Sequence, residues 1–228
     1  MNQMKIKIIS LFPDLITGYL QDALIAKAIN MDILQIELIN LRDFSDNNYK
    51  SVDDTPYGGG DGMLMRADIL EKALLTVKNE NQQVIYFTPQ GKLLNNELVK
   101  SFLNGPELVL ICGRYAGIDQ RFIDTYVDLE LSIGDYVLSG GELPALVLIE
   151  SISRFIPGVL GKMKSAEEDS FKDGLLEAPQ YTKPQIWNNQ SVPEVLTSGH
   201  HQKIGEWKKE MALKVTAAKR PDLLKVKK

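Results

Sequence analysis

Short apolar runs alternate with helical periodicity through the first 157 residues. The runs 5–11 (KIKIISL), 33–39 (ILQIELI), 84–89 (VIYFTP), 107–113 (ELVLICG) and 128–133 are β-branched-rich or continuously apolar, and each predicts a strand. Pro13 opens a helical pattern carried by Leu15, Ile16, Tyr19, Leu20 and Leu24. Further helices are predicted over 67–78, 95–103 with Asn95 or Asn96 as cap, 118–126 and 143–155, the last ending at Pro157-Gly158. Unbroken apolar strands alternating with helices predict an α/β fold, a mostly parallel sheet covered by helices on both faces. Beyond Gly158 the apolar period fades. Residues 158–174 read as a linker and 175–228 as a small helical domain, where Ile204, Trp207, Met211 and Val215 fall 3-4-4 apart on one face.

Charge changes this picture more than composition does. Hydrophobic residues make up 44% and charged residues 25%, ordinary values for a globular chain. No apolar run approaches the length of a membrane span, so no membrane partner is expected. The apolar run near the N-terminus reads as a strand rather than a targeting segment. A single cysteine, Cys112, rules out an intramolecular disulfide and favours a cytoplasmic setting. The net charge of −4 is unevenly spread: from Lys203 onward nine Lys and Arg face three Asp and Glu. A basic tail on an acidic body is a footprint for a polyanion, and equally a solvated helix face.

Candidate chemistry gathers where glycines follow strands. The segments are Thr88-Pro89-Gln90-Gly91, Gly113 to Gly117 (GRYAG) and Ile133 to Glu142 (IGDYVLSGGE). Open α/β sheets bind ligands at such places, and glycine lets backbone approach a ligand closely. Neither G-x-G-x-x-G after a strand nor G-x-x-x-x-G-K-[ST] is present. A cofactor held by backbone and apolar contacts fits better than a dinucleotide or nucleoside triphosphate. Residues 41–66 are too long for a simple connection. Within them the glycine-rich loop 53–63 carries Tyr57 and Met63, with Met65 just beyond, as apolar anchors. His200 and His201 are adjacent and outside any zinc pattern, which suggests capping or a polar surface rather than metal binding. Cys112 reads as a small core hydrophobe. The acidic run Glu167-Glu168-Asp169 has, on composition alone, the character of a hydrated turn.

Together these segments resemble the bacterial tRNA (guanine-37-N1)-methyltransferases. The matching stretches are DDTPYGGGDGMLM (53–65), ICGRYAGID (111–119), SIGDYVLSGGELPA (132–145), SRFIPGVLG (153–161), SAEEDSF (165–171) and LTSGHH (196–201). They span most of the chain, and SIGDYVLSGGELPA is long and specific. The chain departs from the family pattern at Ala116, usually glutamate, at Gln120, commonly acidic, and at Asp61, commonly proline. It also ends short of a helix that often follows the region of Arg220 to Leu224.

The resemblance implies an enzyme that uses S-adenosylmethionine, bound in a bent shape by a deep trefoil knot in a catalytic domain spanning 1–157. It implies cofactor contacts from Tyr86, Phe87, Thr88, Pro89, Gly113, Tyr115, Gly117, Ser132, Ile133, Gly134, Tyr136, Leu138, Gly140, Gly141 and Pro144. Asp169 falls on the family's general base, and Arg154 on the cation that would face guanine O6. Tyr57, Gly58, Gly59, Ser165, Ser198, Gly199 and His200 fall on substrate-contacting motifs. The expected partners are a tRNA with guanine 3′ to the anticodon, docked partly on residues 175–228, and a second copy of the chain in a homodimer that shares its active sites. No dedicated protein metal site is expected, and a role for Mg2+ is left open. Three other readings stay open: a knotted methyltransferase with a different RNA target, a non-catalytic RNA-binding relative, and an NAD-type oxidoreductase, disfavoured by the missing fingerprint.

Overall fold

Five strands lie side by side in the order β2-β1-β6-β5-β7, and every adjacent pair is parallel. They are β1 (Met4–Ser10), β2 (Leu34–Asn40), β5 (Gln82–Leu93), β6 (Glu107–Ile111) and β7 (Leu129–Ser132). Two short strands, β3 (Asp53–Asp54) and β4 (Leu64–Met65), form a separate antiparallel pair. The computed structural model describes residues 3–160 and 169–224. The chain divides into two compact units, one ending at Gly161 and the other beginning at Lys162.

Alternation along the strands builds two cores. Ile6 and Ile8, Ile85 and Phe87, and Leu108 and Leu110 point to one face. Ile9, Val84, Tyr86, Val109 and Ile111 point to the other. A sheet buried on both faces needs apolar residues at successive positions, which is why these strands read as unbroken runs. The first core is covered by α1 (Asp14–Leu20), α2 (Ala23–Asn30), α4 (Asn96–Ser101) and α6 (Glu142–Ser153). The second is covered by α3 (Ala67–Val77) and α5 (Gln120–Tyr126).

Local departures from the expected elements have physical causes. The pattern after Pro13 is two helices, because Asp22 adopts extended backbone and its carboxylate accepts a hydrogen bond from the Ala23 N–H. Ile16 and Leu20 are buried, but Leu15 and Tyr19 face outward. Asn95 is the cap of α4, accepting from the Leu98 N–H at 2.9 Å. β5 runs past Pro89 to Leu93, with its pairing to β7 shifting between Phe87 and Lys92. Proline and glycine are tolerated there because the ladder is broken at that bulge.

The second unit contains α7 (Glu194–Thr197) and α8 (His201–Lys219). Ile204, Trp207, Met211 and Val215 are half-buried on one face of α8, at the expected spacing. Thr216 is fully buried, accepting from the Leu176 N–H at 2.9 Å and donating to the Ala212 carbonyl at 2.7 Å. This part is not purely helical. Strands β8 (Ile186–Trp187) and β9 (Gln190–Ser191) form a hairpin, with Asn188 and Asn189 at its turn at φ 47° and 59°. Asparagine tolerates the left-handed region, and a tight hairpin turn of this kind requires it twice.

Candidate functional site

A cavity of about 540 Å³ opens at the C-terminal ends of β5, β6 and β7. That size is ordinary for a small-molecule site, and the place is where parallel sheets bind ligands. Three loops wall it: the bulge of β5, residues 113–118 after β6, and residues 133–141 after β7. Tyr86, Phe87, Thr88, Pro89, Gly113, Tyr115, Gly117, Ser132, Ile133, Gly134, Tyr136, Leu138, Gly140, Gly141 and Pro144 all line this one cavity. Gln90 and Arg114, within the glycine-bearing segments, line it too, and so does Glu130, which reasoning from sequence did not single out.

The glycines make room for the protein itself. A Cβ on Gly141 would lie 2.7 Å from the Cys112 Cα, and one on Gly140 would lie 2.3 Å from Arg114 Nε. On Gly113 it would meet the Tyr86 ring at 2.8 Å, and on Gly91 the Glu130 carbonyl carbon at 2.4 Å. Real Cβ atoms do not approach this closely, so a larger residue at Gly141 or Gly91 must displace backbone, and one at Gly140 or Gly113 must displace the Arg114 or Tyr86 side chain. The Gly141 N–H donates to the Gly113 carbonyl at 3.0 Å, and Arg114 forms a β-bridge with Gly140. Tyr115 sits at the lip, half-exposed, at φ 60°. A tyrosine held in this region is strained, and such strain concentrates at functional loops.

Arg114 and Glu142 form the charged seam behind the cavity. Arg114 Nη2 lies 2.9 Å from Glu142 Oε2, and Ser10 Oγ donates to Glu142 Oε1 at 2.8 Å. Glu142 is 2% exposed. The Arg114 guanidinium also stacks over Phe12, 4.7 Å from the ring centroid, and donates from Nη1 to the Ser139 carbonyl at 3.3 Å. The loops after β6 and β7 are therefore tied by an ion pair as well as by backbone. Burial, and secondarily the Glu142 charge, pushes the Cys112 thiol well above its ordinary pKa. Cys112 is a core residue and not a nucleophile. Burial also raises the Tyr86 phenol, with Glu130 adding to the effect.

The glycine-rich loop is fastened to this wall along its far edge. The Ala116 N–H donates to the Met63 carbonyl, the Met65 N–H to the Gly117 carbonyl, and the Asp119 N–H to the Met65 carbonyl, at 3.0, 3.0 and 3.1 Å. Gly58, Gly59, Gly60 and Gly62 all have positive φ. Met65 is fully buried, as an anchor should be. Tyr57 is not an anchor: it is 99% exposed at the loop tip. Leu64 reaches the cavity described above, whereas Tyr57 lines a separate cavity of about 660 Å³ against α3 and α5.

The two proposed catalytic side chains lie in different units. Arg154 is half-buried at the C-terminus of α6, where its N–H donates to the Glu150 carbonyl at 3.4 Å. Asp169, half-buried in the second unit, accepts from the Ser170 N–H at 2.8 Å through its carboxylate. Ser198, Gly199 and His200 join α7 to α8, exposed, with Gly199 at φ 71°. His200 occupies the N-terminal flanking position of α8, but its imidazole caps nothing. Ser165, Glu167 and Glu168 lie outside the described residues. Among the described residues, no cluster of three His, Cys, Asp or Glu side chains is arranged to hold a metal ion. No helix among them is long and apolar enough to cross a membrane.

Comparison with known proteins agrees with this architecture. The family tRNA (Guanine-1)-methyltransferase TrmD matches residues 4–226. A tRNA (guanine-N(1)-)-methyltransferase of Buchnera aphidicola is 51% identical over 222 residues, covering 96% of this chain and 85% of its own. The Clostridioides difficile protein of that name is 47% identical, covering 97% and 98%. The Haemophilus influenzae one, strain PittGG, is 49% identical, covering 97% and 91%. A match along nearly the whole length, in a chain whose loops close a cavity at the ends of parallel strands, places this protein in the tRNA (guanine-1)-methyltransferase TrmD family.

Proposed function

We propose that this enzyme transfers a methyl group from S-adenosylmethionine to N1 of guanine 37 in tRNA, on the 3′ side of the anticodon. Family membership supports the reaction class. The observation that carries the cofactor is the cavity lining, where every residue expected to contact it converges. The chemistry of that lining fits the group. Arg114, the basic side chain among the described residues of the lining, is already paired with Glu142, so none of the described lining is set to receive a phosphate. Glycines and apolar side chains suit a nucleoside held by backbone. When bound, S-adenosylmethionine supplies a methyl group activated by a positively charged sulfur.

The remaining work falls to the chain. Guanine N1 carries a proton and is a poor nucleophile until that proton leaves. Asp169 is the proposed acceptor. Negative charge then builds on O6, and Arg154 is the proposed counter-charge. The target base sits in a single-stranded loop, from which it can be turned into a pocket at modest cost. The basic helix α8 is the proposed phosphate-contacting surface of a tRNA-binding domain over 175–228, joined by a linker, 158–174, to the catalytic domain over 1–157. The loop 53–65 and residues Ser165, Ser198, Gly199 and His200 are proposed to position the nucleotide, in a cytoplasmic setting and with Mg2+ as an optional aid.

Two further features belong to this reading. The trefoil knot belongs to this reading through family membership. The apolar side chains Leu15, Leu143 and Val147, exposed on α1 and α6, support a homodimer with shared sites.

One assay tests the function. Labelled S-adenosylmethionine is supplied with tRNA transcripts bearing guanine or adenine at position 37. Label should enter the guanine transcript alone, and Asp169→Asn should lose about a hundredfold or more in turnover while keeping cofactor affinity. Equal labelling of both transcripts, or of neither, sinks the reading. Normal turnover by the variant moves the base elsewhere.

A further inference from the structure

Glu130 has no role so far. It lies in β7 directly beside Tyr86 of β5 in the parallel register, on the face that α5 covers. It is half-buried, and among the described residues it has neither a hydrogen bond nor an ion pair. Among the described residues it is the one carboxylate lining the cavity. Arg114 is the one basic side chain among the described residues of the same lining, and its charge is committed to Glu142 behind the wall. The described lining therefore carries an uncompensated negative charge.

We infer that Glu130 sets the enzyme's preference for the methyl donor over its demethylated product. This rests on the cofactor reading above. S-adenosylmethionine holds a sulfonium, an ammonium and a carboxylate, a net charge of +1. When the methyl group passes to N1 and the N1 proton to the base, the sulfur keeps the bonding pair and becomes a neutral thioether. S-adenosylhomocysteine is then neutral overall. A fixed negative charge in a partly desolvated wall attracts the first and is indifferent to the net charge of the second. Glu130 thus favours loading of the donor without adding to retention of the product. The sequence carries a trace of it: in Asp128-Leu129-Glu130-Leu131-Ser132, polar residues recur at every second position of a strand that is otherwise interior.

The test is equilibrium binding of three probes by calorimetry: S-adenosylmethionine, S-adenosylhomocysteine and sinefungin, which carries an ammonium near the sulfonium position. Glu130→Gln should weaken the two cationic probes by about tenfold and leave S-adenosylhomocysteine within about twofold. Glu130→Asp, which keeps the charge, should keep the preference. Thermal melts check that both variants fold. Equal loss for all three probes would make Glu130 a shaping residue and overturn the inference, as would no loss for any, or loss of preference in Glu130→Asp. Failure of the wild-type protein to bind any of the three would instead strike down the cofactor reading and this inference with it.

Discussion

Gly141 shows what a single residue decides here. Its missing side chain leaves space that the Cys112 backbone fills, and its N–H closes on the Gly113 carbonyl. Gly141→Val should therefore lower thermal stability, by about 1–3 kcal/mol, and abolish cofactor binding in the same variant. A variant that melts like the wild type but no longer binds would mean that the glycine serves the ligand directly. Sequence reasoning found the glycines but not their partner. A glycine in a strand-to-helix loop says that something comes close, and ligand and chain leave the same mark. Tyr57 shows the opposite limit. An aromatic residue in a loop reads as an anchor, yet four glycines at positive φ carry it outward, while Met65 takes the buried position.

At the scale of elements, strands were legible because burial on both faces demands continuous apolar sequence. Leu108 to Ile111 is the clearest such run, whereas in β1 Lys7 interrupts the apolar sequence and its ammonium donates to the Val77 carbonyl. The extension of β5 was not legible, since Pro89 and Gly91 ordinarily end a strand and only the register shift against β7 accommodates them. The break between α1 and α2 turns on one carboxylate, Asp22, which a periodicity count passes over. The hairpin at Asn188-Asn189 escaped because its strands are two residues each. α8 offers a test of packing within the second unit. Its face was readable from spacing, but its buried polar contact was not. Thr216→Val keeps the shape of the side chain and strands the Leu176 N–H. The expected cost is about 1–3 kcal/mol in urea unfolding. A loss below about 0.5 kcal/mol would show that water satisfies that group instead.

For the whole molecule, the exposed side chains on α1 and α6 matter most. Leu143 is 61% exposed and Val147 43% exposed on a helix whose other apolar side chains are buried. A leucine in that position calls for a covering surface, which the proposed homodimer would supply. Leu143→Glu should sediment as a monomer and lose turnover in parallel. A dimer that persists with full activity would place the interface elsewhere. The proposed knot rests on the family resemblance, because chain threading leaves no periodicity and runs against the general rule for connections. The packing of loop against loop has one more consequence. At Gly141 the wall is backbone close against the Cys112 backbone, where a Cβ would collide with the protein itself, whereas at Gly113 and Gly140 the side chains of Tyr86 and Arg114 fill that place. A competitor that rests on Gly141 touches surface that a substitution there can reshape only by displacing backbone. Escape from such a compound falls to side chains at the lip, the large exposed ones being Tyr115, Tyr136, Val137 and Leu138. An inhibitor that avoids those four leaves fewer positions at which a substitution can evade it.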